Sequence, residues 1–171
     1  EFVKKLKVFC DDGMPARSYK CTSEEQKMIN ELYLLTAKPI MYVANINEDE
    51  LMSEKNSKHS DILLSTINGN NGQAIKLCGK VEQEISVLDK AEQSEFLNEY
   101  SLSEPGLNHL IKRAFSLLNL ETYFTGGEKE VRAWTIKKGS SAPKAASEIH
   151  TDFEKGFIKA EIIKYDDLVK M

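Results

Sequence analysis

No run in the sequence approaches the roughly 18 apolar residues a membrane-spanning helix needs, so no helical span is expected. The opening Glu1-Phe2-Val3-Lys4-Lys5 leads into no apolar stretch, and no secretory signal is expected from it. Cysteine is scarce: Cys10, Cys21 and Cys78 are odd in number and widely spaced, with no C-x-x-C among them. A structural zinc site is therefore not expected. The chain has no N-x-[ST] sequon either, and a reducing cytoplasm is the compartment these features suit. The phosphate-cradling G-x-x-x-x-G-K-[ST] is missing: Gly72 lies too far from Gly79-Lys80, and Val81 carries no hydroxyl. His59, His109 and His150 are scattered. Their spacing supports no Ser/His/Asp or Cys/His arrangement, so neither a catalytic residue nor a metal ligand is expected.

What is present is ordinary for a globular chain: 171 residues, 41% hydrophobic and 29% charged. The length suits one domain or two small ones. The net charge of −4 argues against a generic polyanion binder, but it is unevenly spread. Glu82 to Glu104 holds seven acids against one base, Lys90, whereas Arg132, Lys137, Lys138 and Lys144 fall in a stretch with no acid. Either run reads as a solvated face; the basic one also reads as a nucleic-acid contact.

Local patterns predict an α/β fold. Thr22 with Glu25, or Ser23 with Gln26, has capping-box spacing ahead of Ile29, Leu32, Tyr33 and Thr36, which predicts a helix ending before Lys38-Pro39. Pro39 to Asn45 is a nearly continuous apolar run suited to a strand buried on both faces. A helix over 60–67, a flexible loop over 68–72 and a strand over 74–78 complete a βαβ unit, which implies a parallel sheet. Residues 81–100 read as one acidic helix. Leu107, Leu110, Ile111, Ala114, Phe115, Leu117 and Leu118 form an apolar stripe on a core-facing helix opened by Pro105-Gly106. Beyond a boundary near 119–121, strands over 122–125 and 131–136 predict a hairpin. A helix opened by Pro143 and an alternating strand over 157–165 follow, the opening of a β-grasp module.

Ligands of open parallel sheets bind beyond the carboxyl ends of the strands. Asn45-Ile46-Asn47-Glu48 and Cys78-Gly79-Lys80 occupy that position. An Asn there offers both donor and acceptor to a base edge, a carboxylate three residues on can accept, and a Gly allows close backbone approach. The same residues also suit a plain polar loop.

Several blocks resemble the carboxy-terminal part of the YchF / Obg-like ATPase family of P-loop NTPases. The most specific runs from Glu130 to Ile136, continues through Ala142–Ala146 and Ile149–Ile158, and ends near Tyr165-Asp166-Asp167; it resembles the family's TGS domain, a β-grasp module. Leu118–Thr125, Glu104–Asn108 and Leu35–Glu48 also resemble the family. The resemblance implies the end of a helical insertion over 1–35, the later part of a nucleotide-binding domain over 36–118, and a TGS domain, expected to be truncated, over 119–171. It further implies a protein that binds and hydrolyses ATP, or GTP, with Mg2+, and that associates with the ribosome or ribosomal RNA.

Where ordinary GTPases carry Asn-Lys-x-Asp, the resemblance places Asn45-x-x-Glu48, and the family accordingly favours ATP. It implies that Asn45 hydrogen-bonds the adenine ring, that Ile46 lines the base pocket and that Glu48 lies beside it. Cys78 and Gly79 fall in the second base-contacting loop, usually Ser-Ala-Lys, from which Cys-Gly departs. The family's P-loop, switches and magnesium site are expected upstream of residue 1, so the 171 residues alone are expected not to hydrolyse ATP. The alternative is a non-catalytic RNA- or ribosome-binding β-grasp module acting through Arg132, Lys137, Lys138 and Lys144. No membrane partner is expected.

Overall fold

A computed structural model describes residues 1–52, 58–68, 73–127 and 129–170. The chain divides into two units, Glu1–Leu117 and Leu118–Met171. The α/β class expected from the sequence is observed, with one small parallel and one small antiparallel sheet.

In the first unit, α1 (Phe2–Asp11) and α2 (Ser23–Glu31) pack Leu6 and Ile29 against Ala16 of an intervening 3-10 turn. Ile29 is only 1% exposed. Of the two possible caps, Thr22 with Glu25 forms the box: Thr22 Oγ1 accepts from Glu25 N–H, and Glu25 Oε2 accepts from Thr22 N–H. The helix ends earlier than its apolar spacing predicts, because Tyr33 turns left-handed at φ +49° just past the cap. A second 3-10 turn, Leu35–Ala37, is tied back by Ala16 N–H to Thr36 Oγ1 at 3.2 Å.

Strands β1 (Met41–Asn45) and β2 (Gln73–Leu77) pair in parallel, with Asn45 opposite Leu77. Between them lie α3 (Glu48–Met52) and α4 (Lys58–Asn68), the expected strand–helix–strand order. Residues 69–72 of the expected flexible loop lie outside the described residues. The expectation that the first strand is buried on both faces is not met. Tyr42 and Val43 are 38% and 42% exposed, because a two-stranded sheet cannot enclose either face of its strands.

The helix predicted over 81–100 is two helices, α5 (Gly79–Ser86) and α6 (Lys90–Glu99). Asp89 breaks the run. Its carboxylate accepts from Ala91 and Glu92 N–H at 2.8 and 3.0 Å, and Glu92 Oε2 accepts from Asp89 N–H at 3.0 Å. Val81 and Ile85 of α5 form the second buried cluster with Cys78, backed by Leu51, Phe96 and Tyr100.

Helix α7 (Gly106–Leu117) lies where its stripe predicts, against β2, but none of its residues is buried. Leu107 and Ile111 are about half exposed, since two strands are too narrow to cover a stripe of this width.

The second unit is the antiparallel hairpin β3 (Leu120–Gly126) and β4 (Val131–Lys137), followed by α8 (Ala142–Ser147), α9 (Thr151–Lys155) and α10 (Tyr165–Leu168). Pro143 sits in the first turn of α8, as expected. The strand expected over 157–165 is not formed. Residues 157–164 have no regular structure, and Ile158 and Ile162 are almost fully exposed, because alternation specifies a strand only where a partner strand takes up its hydrogen bonds. No apolar residue of this unit is fully buried among the described residues.

Removal of the Asp89 cap should separate the roles of α5 and α6. Asp89→Ala is expected to lower stability by about 0.5–2 kcal/mol. The expected reading is a lower urea midpoint at unchanged slope, and an unmoved midpoint would contradict the cap.

Candidate functional site

The site is assembled where the two parallel strands end. After Asn45 the ladder runs one step further, with Ile46 N–H donating to Leu77 O at 2.9 Å. The chain then enters α3, capped by Asn47 Oδ1, which accepts from Glu50 N–H at 2.8 Å. After Leu77, Cys78 serves as the N-cap residue of α5, its side chain buried in the second core cluster. Gly79 N–H donates to Asn45 Oδ1 at 3.0 Å, so the Asn45 carboxamide bridges the two strand ends. A Cβ at Gly79 would stand 3.3 Å from Asn45 Oδ1, tighter than ordinary packing, and glycine keeps this approach open.

The first turns of α3 and α5 also meet through charge. Lys80 Nζ lies 2.6 Å from Glu48 Oε1 and 3.9 Å from Glu84 Oε1. The hydrogen bond to Glu48, and then its charge, raise the Lys80 pKa above the usual lysine value. Burial, followed by the charges of Glu48, Glu84 and Glu99, raises that of the Tyr100 hydroxyl.

A recess of about 340 Å³ is lined by Asn45, Ile46, Asn47, Glu48, Asp49, Cys78 and Lys80. This is near the lower end of small-molecule pockets, about 300–1,000 Å³. It is large enough for one planar ring system with polar contacts at its edge. Asn45, Ile46, Glu48 and Cys78 are thus brought together as the sequence predicts. Gly79 joins them through its N–H, which donates to Asn45 Oδ1, although it is not among the lining residues.

The sequence places Asn47 and Lys80 within the two loops but assigns neither a role of its own, and it leaves Glu82 out. Asn47 was legible as a cap, since it precedes the acidic first turn of α3. Glu82 reaches from α5 to the start of α7, accepting from Gly106 N–H at 2.7 Å and Leu107 N–H at 3.0 Å. A carboxylate there complements the positive helix terminus. No spacing rule signals that contact, because the partners are 24 and 25 residues apart.

The four expected basic contacts are not on one surface. Arg132 lies over Trp134 with its guanidinium carbon 4.1 Å from the ring centroid, and Trp134 Nε1 donates to Thr125 Oγ1 at 2.9 Å. Lys137 is five residues further along β4 and projects from the opposite face. Lys138 follows the strand, its N–H donating to Asn119 O at 2.8 Å. Lys144 is on α8, a helix joined to the hairpin by Tyr123 OH donating to Ala145 O at 2.9 Å. Burial raises the Tyr123 pKa, with a smaller contribution from Glu148. His109 and His150 take local roles: His109 Nε2 lies 3.2 Å from Glu104 Oε1, and His150 Nδ1 accepts from Asp152 N–H at the start of α9.

The family model YchF-GTPase_C, described as a protein of unknown function (DUF933), matches residues 120–171. The chain is 47% identical over 169 residues to the ribosome-binding ATPase YchF of Bacillus subtilis, covering 99% of this chain and 46% of that one. It is 46% identical over 167 residues to the Haemophilus influenzae protein of the same name, covering 98% and 45%. Its fold matches the structure of the Schizosaccharomyces pombe YchF GTPase with a TM-score of 0.83, at 34% identity, over 99% of this chain and 45% of that one. The chain therefore spans about half the length of the curated relatives it matches.

Proposed function

The chain belongs to the YchF family, and from that premise we propose that the recess between Asn45 and Lys80 receives the adenine ring of ATP. The whole protein would bind and hydrolyse ATP, with GTP as the lesser substrate, and associate with the ribosome. In this reading residues 1–35 end a helical insertion, 36–118 carry base recognition, and 119–171 form a TGS-type module in the cytoplasm.

The tethered carboxamide of Asn45 carries the proposal. One lone pair of Oδ1 accepts from Gly79 N–H, which orients the amide without exhausting it. The second lone pair and the Nδ2 donors remain for a ligand. They match the donor and acceptor that adenine presents at N6 and N7. The Ile46 side chain supplies an apolar wall, and the buried Cys78 closes the floor. When bound, ATP supplies the phosphoanhydride to be cleaved; these residues hold only its base. Among the described residues no three or more His, Cys, Asp or Glu are grouped to hold a metal ion. This chain spans about half the length of its relatives, and we assign the Mg2+ site and phosphate cradle to the part of them it does not cover.

For ribosome association, the observation in favour is the exposed Arg132 stacked on Trp134. A guanidinium plane fixed in this way can stack on a base or pair with a phosphate.

Three outcomes are expected. In the full-length protein, Asn45→Ala should weaken ATP binding by about tenfold to a hundredfold, the equivalent of about 1–3 kcal/mol for a lost buried partner. Equal affinity would exclude Asn45 from the pocket. The pure 171-residue chain should release no phosphate from ATP above the enzyme-free rate, and measurable turnover would refute the assignment of catalysis elsewhere. For ribosome binding, Arg132→Ala should weaken the interaction and flatten its log–log salt slope by about 0.7–0.9 if the residue meets a phosphate. Affinity and slope both unmoved would return Arg132 to the solvated surface.

A further inference from the structure

We propose that Lys80 sets the base preference of this site by neutralising the carboxylate of Glu48, the acidic group three residues beyond Asn45 in the recess. The inference rests on the adenine reading of the recess. It assigns a specificity role to a residue that otherwise reads as a surface lysine.

The argument starts from what each base demands. The Watson–Crick edge of guanine presents two adjacent donors, the N1 imino and N2 amino groups. A site that accepts guanine must offer them acceptors, and a free carboxylate with two oxygens does so in bidentate fashion. Adenine presents no donor pair there, only the N1 acceptor beside the N6 amino group. Glu48 stands three residues beyond Asn45 and lines the recess, so an unpaired carboxylate would be a guanine reader. It is not unpaired. Its Oε1 is shielded from solvent and lies 2.6 Å from Lys80 Nζ. The charge of the carboxylate is balanced by the ammonium, so the two donors of guanine would meet a neutralised acceptor rather than a free one.

The pair has little energetic effect while the recess is open, because the Lys80 side chain is 68% exposed. A base lying across the recess would exclude water and strengthen the pair. Guanine would then compete with the ammonium for the same carboxylate. Adenine would leave it intact and could use the ammonium as a further donor to a ring nitrogen. Glu84, 3.9 Å away on the same helix, keeps Lys80 over the site but brings no second cation to Glu48.

The test is calorimetric binding of ADP and GDP to the full-length protein. Lys80→Met keeps most of the apolar stem and removes the charge. It is expected to shift the ratio of GDP to ADP affinity towards GDP by about tenfold or more. Lys80→Arg should keep the wild-type ratio. Adding Glu48→Gln to Lys80→Met should return the ratio to within about threefold of wild type, since the carboxylate that Lys80 neutralises is then gone. A ratio unmoved in Lys80→Met, or both affinities falling in parallel, would overturn the inference while leaving the adenine reading standing. Wild-type protein that binds no ADP would overturn that reading and this inference with it.

Discussion

The parallel register of β1 on β2 is the constraint on which the rest of the site depends. Asn45 stands opposite Leu77, and the ladder continues for one bond through Ile46 N–H. Both strands therefore stop at the same level, and the helices that follow them start side by side. Glu48 opens α3 and Lys80 falls in the first turn of α5, which is why groups 32 positions apart meet at 2.6 Å. A slip of one residue would turn every side chain of β1 to the other face of the sheet and carry Asn45 away from Gly79. The Asn45–Gly79 bond is both a consequence of the register and a lock on it.

Helix α5 serves the site and the packing of the unit together. Its first turn carries Gly79 and Lys80, its next residues bury Val81 and Ile85, and Glu82 takes the first two N–H groups of α7. Gly106 makes that cap possible: a Cβ there would stand 2.7 Å from Glu82 Oε1 and 3.2 Å from Leu77 Cβ. One short helix thus fixes the loop that follows β2, the core beneath it and the start of α7. The buried side chains are few, so these directional polar contacts supply much of the definition of the unit. Each is modest in net free energy but costly to leave unmade.

The second unit is organised differently. Without a fully buried apolar residue among those described, it relies on cross-strand and side-chain bonds: Trp134 to Thr125 across the hairpin, Tyr123 to the backbone of α8, and Phe124 near Tyr165 at 6.1 Å between centroids. The strand-like alternation of 157–164 finds no partner there, and its isoleucines remain on the surface. That segment marks the limit of reading periodicity alone. Alternation states which face a strand would bury, not whether a neighbouring edge exists to receive it.

Much of this protein was legible in its sequence because the causes are local. The capping box at Thr22, the βαβ order, the Pro143 start of α8, the two-strand hairpin and the placing of Asn45 and Cys78 at strand ends all follow from neighbours within a few residues. The break at Asp89 was also local, a second capping box inside a segment whose acidic, helix-forming composition masked it. What only the tertiary structure decided was which polar groups face one another across the chain. Asn45 spends one lone pair on Gly79, Glu48 is taken by Lys80, Glu82 caps α7, and the basic residues of β4 part to opposite faces. Such pairings depend on register and on helix starts brought together by the fold. A sequence records the donors and acceptors it contains, but not the distances between them.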